Sequence, residues 1–386
     1  MNPKIRTNKF YIVVFLVFVI FLFFIQIRRK PTVEPLILTE LKKNVQQCVS
    51  RIENMTFLIT EDAEITETDK KYSKTVQLHL GGFRDGGLGN KMFELMTLIG
   101  IGDTLQRRVL VNATDLNNIR ILADEIYPIF PKIIDEFEFK FVPTAAATRQ
   151  DLSVGKCCTF DDPKQFISRP EKHLIFDGRY FQSFKYFNHI RLKIRDSLKP
   201  KIQIFQKAEC LLPERHRNDF IICPHIRRGD FQTDDFHQPT DPKFTRAATN
   251  FLVDYCRAGY RNRKSHPRVT VAVFGNDVKF VYEVFKDLVD TIELPKKYSV
   301  VLTPTLAPEI DLAFTRKYCD VTLITAPSST FGWWLSYLSK EGSVTYYRNI
   351  QETQDKVANE MKEEDFYPPE WIKLRYDNVT GRIDKF

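Results

Sequence analysis

Between Phe220 and Tyr347 the chain alternates apolar runs with helical stretches, and this alternation limits the fold more than any other feature. Runs of strand character lie at Phe220–Ile222, Val269–Phe274, Ser299–Leu302, Val321–Ile324 and Ser343–Tyr347. Helical segments at Val278–Val289, Pro308–Tyr318 and Thr330–Leu338 separate the later ones. Strands alternating with helices over short connections predict an α/β fold with a parallel, doubly wound sheet. Residues 215–350 are about the size of one Rossmann-like lobe. Ligands of such sheets bind outside the carboxyl ends of the strands. The turns at His225–Asp230, Gly275–Asp277 and Pro327–Thr330 fall on that edge.

The first of these turns carries adjacent arginines, Arg227 and Arg228. A guanidinium group stays charged and binds phosphate bidentately, so the pair suits a doubly charged anion. Pairing with carboxylates in a surface turn is the structural alternative. The hydroxyls of Ser328, Ser329 and Thr330 and the N–H groups opening the helix behind them favour a pyrophosphate at the same edge. No Walker sequence is present, which argues against an ATPase. No Asp-x-Asp occurs, so a divalent cation under a nucleotide sugar has no obvious ligands. Arginine must then offset the charge that grows on a departing nucleoside diphosphate.

Upstream, Val76–Leu80 alternates like a strand and runs into a glycine-dense turn, Gly81–Gly89. The helix expected from Asn90 is apolar nearly all round and therefore buried. A glycine turn between strand and helix cradles phosphate with backbone N–H groups, although Met92 breaks the strict Gly-x-Gly-x-x-Gly pattern. Val109–Val111 reads as a further strand. Residues 115–211 do not parse cleanly; the aromatic cluster Tyr180–Phe187 within them reads as core.

The compartment comes from the amino terminus. Phe10–Ile27 is an apolar run of 18 residues with only Gln26 polar, long enough to cross a bilayer. It is bulky and ends in Arg28-Arg29-Lys30, which predicts an uncleaved signal-anchor rather than a signal peptide. The expected order is a cytosolic tail at 1–9, a transmembrane anchor at 10–27, a stem at 31–75 and a lumenal catalytic domain at 76–376. Sequons at Asn54, Asn112 and Asn378 fit a glycosylated lumenal body. Seven cysteines follow the anchor without zinc-site spacing, and Cys223 and Cys319 read as small buried hydrophobes. In the stem, Leu38, Leu41, Val45, Cys48 and Ile52 form a short seam. It fits either a homodimer locked by a Cys48–Cys48 disulfide or an amphipathic helix lying on the folded domain. The net charge of +8 is modest, and no basic stripe with interleaved aromatics is present, so nucleic acid is not an expected partner.

His225-Ile226-Arg227-Arg228-Gly229-Asp230-Phe231, Gly87-Leu88-Gly89-Asn90-Lys91-Met92-Phe93 and Ser329-Thr330-Phe331-Gly332-Trp333-Trp334 together resemble the motif set of the α-1,2-fucosyltransferases, glycosyltransferase family 11. Asp311 through Asp320 and Phe181–Phe187 resemble two further segments of that family, and Lys91 stands where a glutamine is usual. The resemblance implies two Rossmann-like lobes in a GT-B-like arrangement and a Golgi membrane protein of type II topology. It implies inverting, metal-free transfer of L-fucose from GDP-fucose to the 2-hydroxyl of a galactose or similar sugar on a glycan acceptor. Carried over, Arg227 contacts the β-phosphate, and Asn90, His225, Arg228, Ser329, Thr330 and Phe331 complete the GDP-fucose site. Asp230 is the candidate base, with bracing of an arginine as its structural role, and Arg228 is the arginine expected to pair with it. A protein O- or α-1,6-fucosyltransferase, or a membrane protein that binds GDP-sugar or glycans without turnover, are the alternatives.

Overall fold

The computed structural model describes residues 36–56, 72–80, 83, 86–152, 157–178, 180–259, 268–289 and 297–386. The expected tail and anchor, and the stem at 31–35 and 57–71, lie outside these residues. Among the described residues no helix is long and apolar enough to cross a membrane. The described residues divide into two units at Lys43, the second spanning 44–386.

The second unit contains two sheets. The first comprises β1 (Thr75–Leu78), β2 (Arg108–Asn112), β3 (Glu138–Lys140), β4 (Thr148–Asp151) and β5 (His173–Asp177), in the order β3-β2-β1-β5-β4 and parallel throughout. The second comprises β6 (Phe220–Ile226), β7 (Val269–Gly275), β8 (Ser299–Leu302), β9 (Val321–Ile324), β10 (Val344–Arg348), β11 (Ile372–Tyr376) and β12 (Ile383–Lys385). Its order is β12-β11-β10-β9-β6-β7-β8, and β12 alone runs antiparallel. The strand pattern after Phe220 is the one expected. Two extensions were not: β6 runs on through Pro224 to Ile226, and β11 with β12 carries the sheet past Tyr376 to Lys385.

One helix joins the sheets. Helix α2 (Leu88–Leu105) is buried on nearly all sides, as its composition predicts. Helix α7 (Thr330–Tyr337) packs against it through Trp333 and Trp334, whose rings lie 4.6 and 5.0 Å from Phe93. The Trp334 indole N–H donates to the Gly89 carbonyl at 3.0 Å. Phe181, Phe184, Tyr186 and Phe187 are buried in the same cluster, so the aromatic run is core. Lys91 is buried and pairs with Glu125.

The cysteines correct two expectations. Helix α1 (Leu36–Thr56) occupies the stem, and Cys48 is bonded to Cys210, not to a second chain. Val45 and Val49 are buried, and Glu53 pairs with Lys207 at 2.8 Å. From Val45 onward the seam is thus the inner face of an amphipathic helix tied to helix α3 (Ile202–Glu209) and its C-terminal cysteine, and the disulfide consumes the thiol the dimer would need. Cys223 and Cys319, both buried, are bonded to each other across 96 residues of sequence. Cys157 and Cys158 are bonded as neighbours, leaving Cys256 free. The sequons also differ. Asn378 is exposed in a turn, whereas the Asn112 amide donates to Val142 O at 2.9 Å and accepts from Thr114. Asn112 is therefore not presented for a glycan as Asn378 is.

The Cys48–Cys210 bond closes a loop across 162 residues. Replacing Cys48 with serine should lower stability by about 2–4 kcal/mol in urea unfolding. Non-reducing electrophoresis should show a monomer before and after the change; a dimer band lost in Cys48→Ser would contradict the intrachain bond.

Candidate active site

A cavity of about 780 Å³ opens at the carboxyl edge of the second sheet, facing the start of α2. The strand order β9-β6-β7-β8 sets out its lining in a row. Ser328–Phe331 follow β9, His225–Arg227 close β6, Gly275 and Asn276 close β7, and Thr305 to Asp311 follow β8. Gly86 to Asn90 supply the opposite wall. A row of this kind suits an elongated ligand.

The glycine turn is shaped by contact with α7. A Cβ on Gly89 would lie 2.7 Å from the Phe331 amide nitrogen and 2.7 Å from Thr330 Oγ1, so no side chain fits. The Ser329 hydroxyl caps α7 by accepting from the Gly332 amide at 3.2 Å. The amides of Thr330 and Phe331 have no partner within the helix, and the helix end carries partial positive charge. Asn90 is held by Gln182, which donates to its Oδ1 at 3.0 Å. Ser328 donates to the buried carboxylate of Asp355.

The two arginines do different things. Arg227 lines the cavity, with Nη2 2.8 Å from Asp230 Oδ2 and its guanidinium 5.2 Å from the centre of the Phe231 ring. Its amide donates to Thr240 Oγ1, and its carbonyl accepts from the Thr240 amide, both at 2.9 Å. Arg228 is not among the lining residues. It donates to Asp277, to the Thr240 carbonyl and to Gln232, and lies 4.1 Å over Phe280. The expected Arg228–Asp230 brace is thus replaced by Arg227–Asp230, because Arg228 turns towards β7 and the helix after it.

His225 is buried, its Nδ1 has no partner among the described residues, and a Cβ on Gly332 would lie 2.6 Å from that nitrogen. Burial, aided by the Arg227 charge, lowers its pKa to about 3, so the ring is neutral. Sequence reasoning did not single out Asp311 as a site residue. It sits in the first turn of helix α6 (Pro308–Tyr318), lines the cavity and is buried with Oδ1 unpartnered. Burial, with Glu309 nearby, raises its pKa well above the usual carboxylate range. The signal was one acid in the apolar run Ile310, Leu312, Ala313, Phe314. Two other lining residues were also missed. His237 is bonded to Asp234, and Glu360 accepts from the Cys157 amide. Among the described residues no group of three His, Cys, Asp or Glu is placed to hold a metal ion.

The neutral His225 has a consequence for stability. Its folded pKa lies below the unfolded one, so only the unfolded chain gains a proton as pH falls from 6.5 towards about 3. That group should cost the native state about 1.4 kcal/mol per pH unit across this window. His225→Gln should flatten the acid decline in urea midpoints; an unchanged slope would contradict the burial of a neutral ring.

Residues 165–375 match the model of Glycosyl transferase family 11. The chain is 50% identical over 359 residues to a galactoside 2-alpha-L-fucosyltransferase of Caenorhabditis elegans, covering 89% of this chain and 88% of that one. A second protein of that name from the same organism is 38% identical, over 78% of this chain and 80% of its own. The solved fucosyltransferase NodZ from Bradyrhizobium is similar at 11% identity and a TM-score of 0.41, over 82% of this chain and 99% of that one. With its three motifs gathered around one cavity and 50% identity to such a relative over 359 residues, the chain belongs to glycosyl transferase family 11.

Proposed function

We propose that this protein transfers L-fucose from GDP-fucose to the 2-hydroxyl of a galactose on a glycan, with inversion and with no metal ion. The observation that carries the reading is the pairing of Arg227 with an α7 amino terminus across a side-chain-free glycine turn. That pairing offers a diphosphate a fixed positive charge, helix amides and room for close approach. The named activity of the relatives supports the same donor and linkage.

In this reading Arg227 contacts the β-phosphate and offsets the charge of departing GDP, and Asp230 holds the guanidinium in place. Asn90, Ser329, Thr330 and Phe331 line the diphosphate. His225 is a neutral wall of the cradle, and Arg228 stiffens the loop from behind. Asp311 faces the guanine, whose adjacent N1–H and N2–H groups match the two oxygens of a carboxylate. The apolar run at 10–27, the disulfides and the exposed Asn378 sequon support a type II Golgi membrane protein with its body in the lumen.

The purified protein, given GDP-fucose and a glycan array with and without EDTA, should fucosylate terminal galactosides equally in both arms. Products on a 6-hydroxyl or on protein hydroxyls would overturn the linkage. Arg227→Lys keeps the charge and loses the fork, and should cut transfer on the order of 10²–10³-fold; near-full activity would refute the assignment.

Asp311 gives a pH test. Its raised pKa means the empty site tends to hold the proton. A guanine needs the carboxylate, so GDP binding should release that proton and tighten as pH rises. Asp311→Asn should weaken GDP about ten- to a hundredfold, the loss of hydrogen bonds to a charged group. It should also flatten the pH dependence in calorimetry.

A further inference from the structure

We propose that His237, oriented by Asp234, is the base that takes the proton from the acceptor hydroxyl during fucosyl transfer, an assignment that rests on the function proposed above. Both residues lie in the loop after Arg227. His237 lines the same cavity as Arg227 and Asp230. Its Nδ1 lies 2.5 Å from Asp234 Oδ2, while Asp234 Oδ1 accepts from the amides of Phe236 and His237 at 3.0 and 2.9 Å. The imidazole stacks on Phe231 with ring centres 4.2 Å apart, and Arg227 packs against that same ring. The simpler candidate, Asp230, is already committed to Arg227.

The loop is fixed from outside as well. The Lys356 amide donates to the Phe236 carbonyl at 2.9 Å, and the Gln238 amide donates to Asp355 at 3.1 Å. Burial opposes the charge on Asp234, but hydrogen bonds from the His237 amide, the His237 ring and the Phe236 amide outweigh it and hold its pKa below the usual value. An ionised Asp234 accepts a proton-bearing Nδ1, which leaves the lone pair of a neutral imidazole on Nε2. About 29% of the His237 side chain is exposed, so the ring is supported yet reachable.

The step balances. The acceptor oxygen forms a bond to C1 of fucose as the bond from C1 to the β-phosphate oxygen breaks. The electron pair leaves on GDP, where Arg227 offsets it. The hydroxyl proton passes to Nε2 of His237 and later to solvent. The charged and titratable groups around the imidazole are Asp234, Asp235, Asp230 and Arg227 on its own loop, with Asp355, Lys356 and Glu360 on the facing segment.

His237→Gln should lower kcat/KM for transfer by about 10²–10⁴-fold, with GDP affinity kept within about twofold. Asp234→Asn keeps the acceptor for the loop amides but cannot accept from Nδ1–H. It should lower transfer on the order of 10²–10⁴-fold as well, through the wrong tautomer. Nitrogen NMR of His237 in the intact protein should show Nδ1 protonated and Nε2 bare at neutral pH. Transfer within tenfold of the parent in His237→Gln, or an Nε2–H tautomer, overturns the proposal. A parent protein that binds GDP yet fucosylates no galactoside sinks the proposed function instead, and the tautomer still judges the dyad.

Discussion

The packing of Trp333 and Trp334 onto Phe93 is the interaction on which the rest of the structure depends. All three rings are fully buried. Burying an aromatic side chain of this size contributes on the order of 2–3 kcal/mol, with something added for tilted ring pairs. The same contact fixes the distance between α2 and α7. The Trp334 indole holds the Gly89 carbonyl, and Gly89 then has no room for a Cβ against Thr330 and Phe331. The core of the molecule and the floor of the cavity are one piece of packing. A change at Trp334 would be felt at the diphosphate cradle as well as in stability.

The arginine pair shows how neighbouring residues of one type take separate duties. Arg228 uses its donors on Asp277, Thr240 and Gln232 and lies over Phe280, so it stiffens the turn. Arg227 has one carboxylate partner and faces the cavity. A guanidinium ion-paired at a half-open site keeps donors for a phosphate, whereas one saturated on all sides does not. Next to Arg227, a buried neutral His225 adds no competing positive charge.

The strands after Phe220 were legible because each is a short apolar run bounded by turn residues, buried on both faces of a parallel sheet. In the first sheet β1 and β2 were legible as well, but β3, β4 and β5 were not. Glu138–Lys140 and Thr148–Asp151 are its edge strands, and neither carries an apolar run that periodicity detects. Pro224 hid the length of β6, since proline inside a run argues against a central strand. The disulfides were illegible for another reason: Cys48 and Cys210 meet across 162 residues, a distance that only the fold closes. At the site, Arg227, Asn90 and Ser329–Phe331 were found through motifs. Asp311, Asp234 and His237 were not singled out, because burial and cavity lining are tertiary properties.

Pro224 also explains why the loop that carries Arg227 is held so firmly. It lacks an N–H, and the β6–β7 register is interrupted between Ile222 and His225. The strands close again at Ile226 and Gly275, where a Cβ on Gly275 would lie 2.2 Å from the Ile226 carbonyl. That close approach brings Asn276 to the loop, and its Oδ1 accepts from the Arg228 amide at 2.9 Å. From the other side Thr240 bonds both Arg227 and Thr325, which in turn donates to the His225 carbonyl. The backbone at Arg227 is thus clamped by β7 on one flank and β9 on the other. Electrostatic stabilisation of a leaving group depends on charge that need not reorganise when the bond breaks. A proline placed one residue before His225 in the central strand is part of how this chain achieves that.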